Sequence, residues 1–252
     1  MITWALFDSG NGSYTKVVNK HFKGRVEIYP IGIDIENRNN HFIHLNLADY
    51  SYLFGDNKLF DTLDKLPRPN LIIASPPCES WSVASAMRGG NASWKQEEGD
   101  SLFSPQIPLS RFTIRGKSDY KGYQFKYDRS FLNRINGELT IYNTIKIIKK
   151  YNPEVYIIEN PAHGRMWEYI DDIIEFEIPY DNLTYYNNYD YPIRKPTKFA
   201  SNIKLSLKKE DIKNETKFNE LCRKGGAYNA RSNIPEQLVK DIFNQTLEEL
   251  SK

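Results

Sequence analysis

The stretch Leu71-Ile72-Ile73-Ala74-Ser75-Pro76-Pro77-Cys78-Glu79-Ser80-Trp81-Ser82 passes from an unbroken apolar run straight into a proline-stiffened turn. Apolar residues in succession, without polar alternation, read as a strand buried on both faces, the habit of a parallel sheet covered by helices. The turn then sets a cysteine where the strand stops. In open α/β sheets ligands gather beyond the carboxyl ends of the strands, so Cys78 stands at the usual place for chemistry. An isolated cysteine is more commonly an inert buried thiol. The adjoining prolines, which stiffen the turn that presents it, favour a nucleophile instead.

Working outward, the same alternation of short apolar runs with loops and helices continues on both sides and predicts an α/β fold. Upstream, Thr3 to Phe7 reads as a first strand ending in Asp8-Ser9-Gly10-Asn11-Gly12-Ser13. Val26 to Ile35 holds a second, ending in Gly32-Ile33-Asp34-Ile35-Glu36, and Phe42 to Leu45 is a short third. Downstream, Phe131 to Lys150 carries Phe131, Leu132, Ile135, Leu139, Tyr142, Ile145 and Ile148 at helical spacing, a helix with one buried face. Val155-Tyr156-Ile157-Ile158 is a fifth strand, and a second amphipathic helix starts at Pro235 with Leu238, Ile242, Leu247 and Leu250 behind it. Residues Val83 to Tyr127 lack periodicity and are rich in Gly, Ser, Arg, Lys and aromatics, which reads as an insertion serving as a lid or a recognition element.

The 252 residues suffice for one α/β domain with a sizeable core, and 13% aromatic with 40% apolar content excludes a mostly disordered chain. No apolar run approaches the roughly 20 residues of a membrane span, and the start lacks a signal-peptide pattern, so a cytoplasmic protein is expected. Cys78 and Cys222 cannot build a disulfide framework, and neither sits in a zinc-ligand cluster; no metal is expected. A net charge of +2 is too mild to identify a polyanionic partner. The stretch from Arg194 to Lys213 is locally basic, with Lys195, Lys198, Lys204, Lys208, Lys209 and Lys213, either a solvated face or a phosphate-binding one.

A second chemical signal is Ile157-Ile158-Glu159-Asn160-Pro161. A carboxyl group ending an apolar strand is costly to bury unless it is paired or protonated, and its pKa is expected to rise. Such a group can give up a proton near neutral pH.

Together these segments resemble the DNA cytosine-5 methyltransferase family, in the form of a small phage-type or orphan bacterial member. Pro77-Cys78-Glu79-Ser80-Trp81-Ser82 is similar to the family's Pro-Cys-Gln-x-Phe-Ser motif, and Glu159-Asn160-Pro161 to its Glu-Asn-Val motif. Leu6-Phe7-Asp8-Ser9-Gly10-Asn11-Gly12-Ser13 resembles its glycine-rich loop, and Asp34 or Glu36 the acid that holds the cofactor ribose. Tyr191-Pro192-Ile193-Arg194-Lys195-Pro196-Thr197 looks like a sequence of phage-type members, and Arg231-Ser232-Asn233-Ile234-Pro235 like the last motif, which returns to the cofactor. The resemblance implies a Rossmann-like, mostly parallel sheet of about seven strands flanked by helices. It also implies transfer of a methyl group from S-adenosylmethionine, leaving S-adenosylhomocysteine, to carbon 5 of cytosine in DNA.

In that family a thiolate adds to carbon 6 of a flipped base, the role that falls to Cys78; Glu159 assists at ring nitrogen 3, and Arg194 is a candidate partner for the cytosine carbonyl. Against the cofactor the resemblance sets Phe7, Asp8, Ser9, Gly10, Asn11, Gly12 and Ser13, then Asp34 and Ile35, Asn46 and Leu47, Pro76 and Ser232. Against nucleic acid it leaves Ser82, Arg88, Arg111, Arg115, Lys195 and Lys198. The implied partners are double-stranded DNA and, in a restriction-modification pair, a cognate restriction endonuclease.

Three departures stand out. Asp8 occupies a position where the family has an aromatic or small residue, and Asn46 stands near where an Asp often contacts the adenine amino group. Asn202 to Asn229 is too short for the usual target-recognition domain, so recognition is expected to be reduced or moved into the insertion after Cys78. RNA as the substrate, and a catalytically silent nucleic-acid-binding relative, remain the alternatives.

Overall fold

The computed structural model describes residues 1–10, 12–33, 41–82, 127–210, 212 and 233–252. Its centre is β1 (Ile2–Leu6), which pairs in parallel with β2 (Glu27–Gly32) on one side and β4 (Leu71–Ala74) on the other. Outward lie β3 (Ile43–His44) beside β2, and β5 (Val155–Pro161) beside β4, both parallel. Strands β6 (Tyr180–Tyr185) and β7 (Pro196–Ser201) complete a seven-stranded sheet of order β3-β2-β1-β4-β5-β7-β6, in which β7 runs opposite to the other six. The fold is thus α/β with a mixed, mostly parallel sheet, compatible with a Rossmann-like arrangement.

Both faces of the sheet are covered, which is why its central strands are apolar without a break. Trp4, Leu6, Ile72, Ala74 and Ile158 face a core shared with α2 (Lys58–Leu63), α3 (Tyr127–Tyr151) and α4 (Met166–Asp172). Ala5, Leu71, Ile73, Ile157 and Phe199 face the opposite core, filled by α1 (Ser13–His21) and α5 (Glu236–Glu249). Each strand therefore divides its residues between two helical layers with a period of two.

The expected second strand ends early, at Gly32, and Asp34, Ile35 and Glu36 lie outside the described residues. The fifth runs three residues longer than Ile158 because β7 pairs with its tip, Glu159 opposite Phe199 and Pro161 opposite Thr197. Helix α3 contains the expected segment, but its buried stripe differs. Ile141, Ile145, Ile147 and Ile148 are buried, whereas Phe131, Leu132 and Tyr142 are exposed. The insertion read at 83–127 lies outside the described residues except for Tyr127, which begins α3. Among the described residues no helix is long and apolar enough to cross a membrane.

Candidate active site

Strand order reverses at β1: β2 leaves to one side and β4 to the other, opening a crevice at their carboxyl ends. The chain enters it through Phe7, whose φ of 66° is left-handed and costs a residue with a Cβ roughly 1 kcal/mol. The Phe7 amide holds this turn by donating to the Ile31 carbonyl at 2.8 Å. Asp8 then folds back into its own loop. Its carboxylate accepts from the backbone N–H groups of Gly10 (2.7 Å), Gly12 (3.2 Å) and Thr15 (3.2 Å), tying the turn to the first turn of α1. Burial pushes the Asp8 pKa up, and these amides pull it back. A Cβ on Gly12 would lie 2.7–2.8 Å from the Asp8 carboxylate, so the glycine is required by the carboxylate beneath it.

The resulting cleft has a volume of about 290 Å³ and is lined by Phe7, Asp8 and Ser9 from this turn, Asn46 and Leu47 after β3, and Pro77 after β4. Its Leu47 wall is fixed from α3, where fully buried Asn143 donates through Nδ2 to the carbonyls of Leu47 (2.8 Å) and Asp49 (2.7 Å). The sequence reading missed Asn143, although an amide among the apolar positions of a buried helix stripe is itself a signal of a backbone partner. From the other end of the chain the Ile234 amide donates to Ser13 Oγ at 2.9 Å, bringing the segment before α5 to the same loop.

One residue beyond Pro77 is Cys78. Its carbonyl accepts from the amides of Trp81 (3.0 Å) and Ser82 (2.9 Å), closing a helical turn. Trp81 is fully buried against Tyr169, ring centroids 5.0 Å apart. The turn presses on α3 at Gly137, where a Cβ would come within 2.9 Å of Ser80 and 3.1 Å of Trp81 Nε1. It is tied to β5 as well, since Asn160 Nδ2 donates to the carbonyl of buried Pro76 at 2.8 Å. The Cys78 thiol is half-buried, and its pKa is pushed up to about 11, first by burial and then by the negative charges of Glu79 and Glu159, with Lys195 opposing.

Glu159, 8% exposed, lies two residues before the end of β5, on the α1/α5 side of the sheet. Burial raises its pKa, while the Lys195 charge and hydrogen bonds from Ser75 and Tyr186 lower it. The Tyr186 hydroxyl donates to Oε1 at 3.3 Å, and Tyr14 Oη lies 2.8 Å from Ser75 Oγ. Neither tyrosine was foreseen from sequence; one comes from α1 and the other from a 3-10 turn (Tyr186–Asn188).

The cations divide differently from expectation. Arg194, expected inside the pocket, is exposed and stacks its guanidinium 4.1 Å from the Tyr185 ring centroid. Lys195, expected at phosphates, is the charge that acts on both Cys78 and Glu159, its Nζ 4.8 Å from the Tyr186 ring centroid. The reason is alternation: Lys195 shares parity with Thr197 and Phe199, which belong to the Glu159 side, and Arg194 does not. Lys198 pairs with Asp181 at 2.7 Å over the Trp167 ring and is already compensated. Ser82 lies in the Cys78 turn, while Asn11, Ser232, Arg88, Arg111 and Arg115, like Asp34 and Ile35, lie outside the described residues. Among the described residues, no three His, Cys, Asp or Glu side chains gather as a metal site would require. No protein-family model matches the chain, and no curated protein does.

Proposed function

We propose that the chain transfers a methyl group from S-adenosylmethionine to carbon 5 of cytosine in DNA, through a covalent adduct on Cys78. The observation that carries this reading is adjacency: Pro77 lines the cleft at the switch point, Cys78 follows it, and Glu159 stands near the carboxyl end of the neighbouring strand within electrostatic reach of the thiol. A methyl donor in the cleft and a base over Cys78 would share one crevice.

The cleft fits a nucleoside-bearing cofactor. Backbone can approach a ligand closely at Gly32, and Phe7, Ile33, Leu45 and Leu47 give it apolar walls. Asn46 Oδ1 accepts from the Ala48 amide at 3.0 Å, and its Nδ2 group is a donor with no partner among the described hydrogen bonds. That donor suits a ring nitrogen of adenine better than the adenine amino group. The chemistry that S-adenosylmethionine supplies when bound is an electrophilic methyl group.

The chain's own residues supply the rest. Cys78 loses its proton, held by Glu159, and adds to carbon 6; the electrons pushed toward nitrogen 3 are met by that proton, and carbon 5 becomes nucleophilic. Once carbon 5 is methylated its own proton leaves to water, the C6–S bond breaks as the 5,6 double bond reforms, and nitrogen 3 returns its proton to Glu159. Lys195 stabilises the thiolate that must form. The reactive form pairs thiolate with protonated Glu159. It carries the same net charge as the thiol–carboxylate pair, so its population is level between the two pKa values and falls outside them.

The test is methyl transfer from labelled S-adenosylmethionine to duplex DNA or to RNA, with the product base mapped. DNA carrying 5-fluorocytosine should be covalently trapped by the wild type and not by Cys78→Ser. Label in RNA alone would make the substrate RNA; trapping or full turnover by Cys78→Ser would remove the covalent mechanism.

A further inference from the structure

Two buried hydroxyl routes converge on Glu159. Tyr186, fully buried, donates to Oε1 at 3.3 Å, and Ser75, whose Oγ lies 2.8 Å from the Tyr14 hydroxyl, lowers the pKa of the same carboxyl group. Ser75 has a single hydroxyl proton. When that proton is given to the carboxylate, the Tyr14–Ser75 bond at 2.8 Å must take its proton from Tyr14. With Ser75 donating to Glu159, the order is Tyr14 to Ser75 to Glu159 on one side and Tyr186 to Glu159 on the other. Both phenols stay protonated, because burial and the Glu159 charge push their pKa values far up.

We propose that Tyr186 and the Tyr14–Ser75 pair are positioning residues for Glu159, donating to its carboxylate from the inner side so that its proton is taken up and given out on the remaining side. The assignment rests on Glu159 as the acid of cytosine methylation, but the hydrogen-bond polarity stands without it. Three separate elements contribute: α1 carries Tyr14, the end of β4 carries Ser75, and the 3-10 turn after β6 carries Tyr186. A carboxyl held at two points keeps one orientation through the reaction. A carboxyl with no inner donors would be free to rotate, and burial would hold it protonated to higher pH.

The charged and titratable groups facing this network are Asp8 through Tyr14, Cys78 with Glu79 from the turn after β4, and Lys195 before β7; Thr197 of β7 also bonds Tyr186. Removing one hydroxyl donor from the carboxylate should therefore raise the Glu159 midpoint without altering the other charges. The experiment is Tyr186→Phe, Tyr14→Phe and the double variant, each keeping its ring in the core. Circular dichroism and S-adenosylhomocysteine calorimetry serve as checks on folding and on the cleft.

Two readouts follow. In single-turnover methylation, the acid limb of the pH profile should move up by about one pH unit in Tyr186→Phe, the scale of one hydrogen bond to a charged group. The shift in Tyr14→Phe should be smaller and in the same direction. Independently of activity, the carboxyl infrared band assigned by difference against Glu159→Gln should titrate at correspondingly higher pH. A shifted infrared midpoint in a chain that does not methylate would support the network and refute the function. An unshifted midpoint in folded Tyr186→Phe would overturn the proposal even if activity fell. Should Tyr186→Phe fail to fold, Ser75→Ala, which removes the other donor from a half-buried position, must show the upward shift or the proposal fails.

Discussion

At the residue scale the central pair is Cys78 and Glu159, because the Glu159 charge raises the thiol pKa and Lys195 lowers that of both groups. A thiol held up to about 11 is almost wholly protonated at neutral pH, so attack cannot draw on a standing thiolate. With Glu159 able to hold the proton the thiol loses, the wild-type single-turnover rate should be level between the Glu159 and Cys78 midpoints. Glu159→Gln removes that compensation. Its rate should fall by roughly 10²–10⁴-fold, the scale of general acid–base catalysis, and should then climb about tenfold per pH unit as thiolate accumulates. A level profile in Glu159→Gln would mean that the two groups do not share a proton. Under the proposed function, affinity for S-adenosylhomocysteine in the cleft beside Pro77 should hardly change.

At the scale of elements, the site depends on how closely α3 approaches the Cys78 turn. Gly137 is the point of contact, and exchanging it for alanine sets two effects against each other. Helix propensity favours alanine by about 1 kcal/mol. The new Cβ would lie 2.9 Å from Ser80 Cβ and Oγ, and overpacking of this kind costs about 1–3 kcal/mol. Ser80 is bonded to the Asn133 carbonyl of the same helix and cannot swing aside freely, so the steric term should win. Gly137→Ala should melt a few degrees lower than wild type and methylate more slowly, as thermal denaturation and single-turnover assays would show; a higher melting temperature would mean that the turn yields.

The same contacts explain what could be read in advance. The apolar run Leu71–Ala74 and the strand Val155–Ile158 were legible because burial on both faces leaves no other composition, and Cys78 and Glu159 followed as the residues at their ends. The stripe of α3 was not. Leu132 and Tyr142 keep helical spacing with Ile145 but face outward, since periodicity shows that a face exists and not where its cover stops. Which of Arg194 and Lys195 faces Cys78 and Glu159 was not legible, because the parity of the residues leading into β7 becomes visible only once its antiparallel pairing with β5 is known. Tyr14 and Tyr186 stand far apart in sequence, and nothing local marks either as a partner of Glu159.

For the whole molecule, a mostly parallel sheet makes one edge of the protein chemically unlike the other. The cleft, Cys78 and Glu159 all lie at the carboxyl ends of β1, β4 and β5, so under the proposed function DNA would lie across that edge. The basic run after β7 climbs from the opposite end. Lys204 follows Ser201, which pairs with Tyr180 at the start of β6, and the next residues bond α5 through Ser206 and Gln245. Higher up, Thr184 near the end of β6 donates to the Lys208 carbonyl, and Asn188 bonds Glu210. Lys209 is therefore at the edge that carries the site, and Lys204 is not, although both are exposed and carry the same charge. If DNA lies over Cys78, Lys209→Ala should weaken binding equally for all sequences and reduce the slope of log affinity against log salt by about 1, the signature of one lost phosphate contact. Lys204→Ala, with the same loss of net charge, should leave the slope unaltered. Equal effects from the two would show that the chain attracts DNA by overall charge alone, and the sidedness of the sheet would then have no part in placing the substrate.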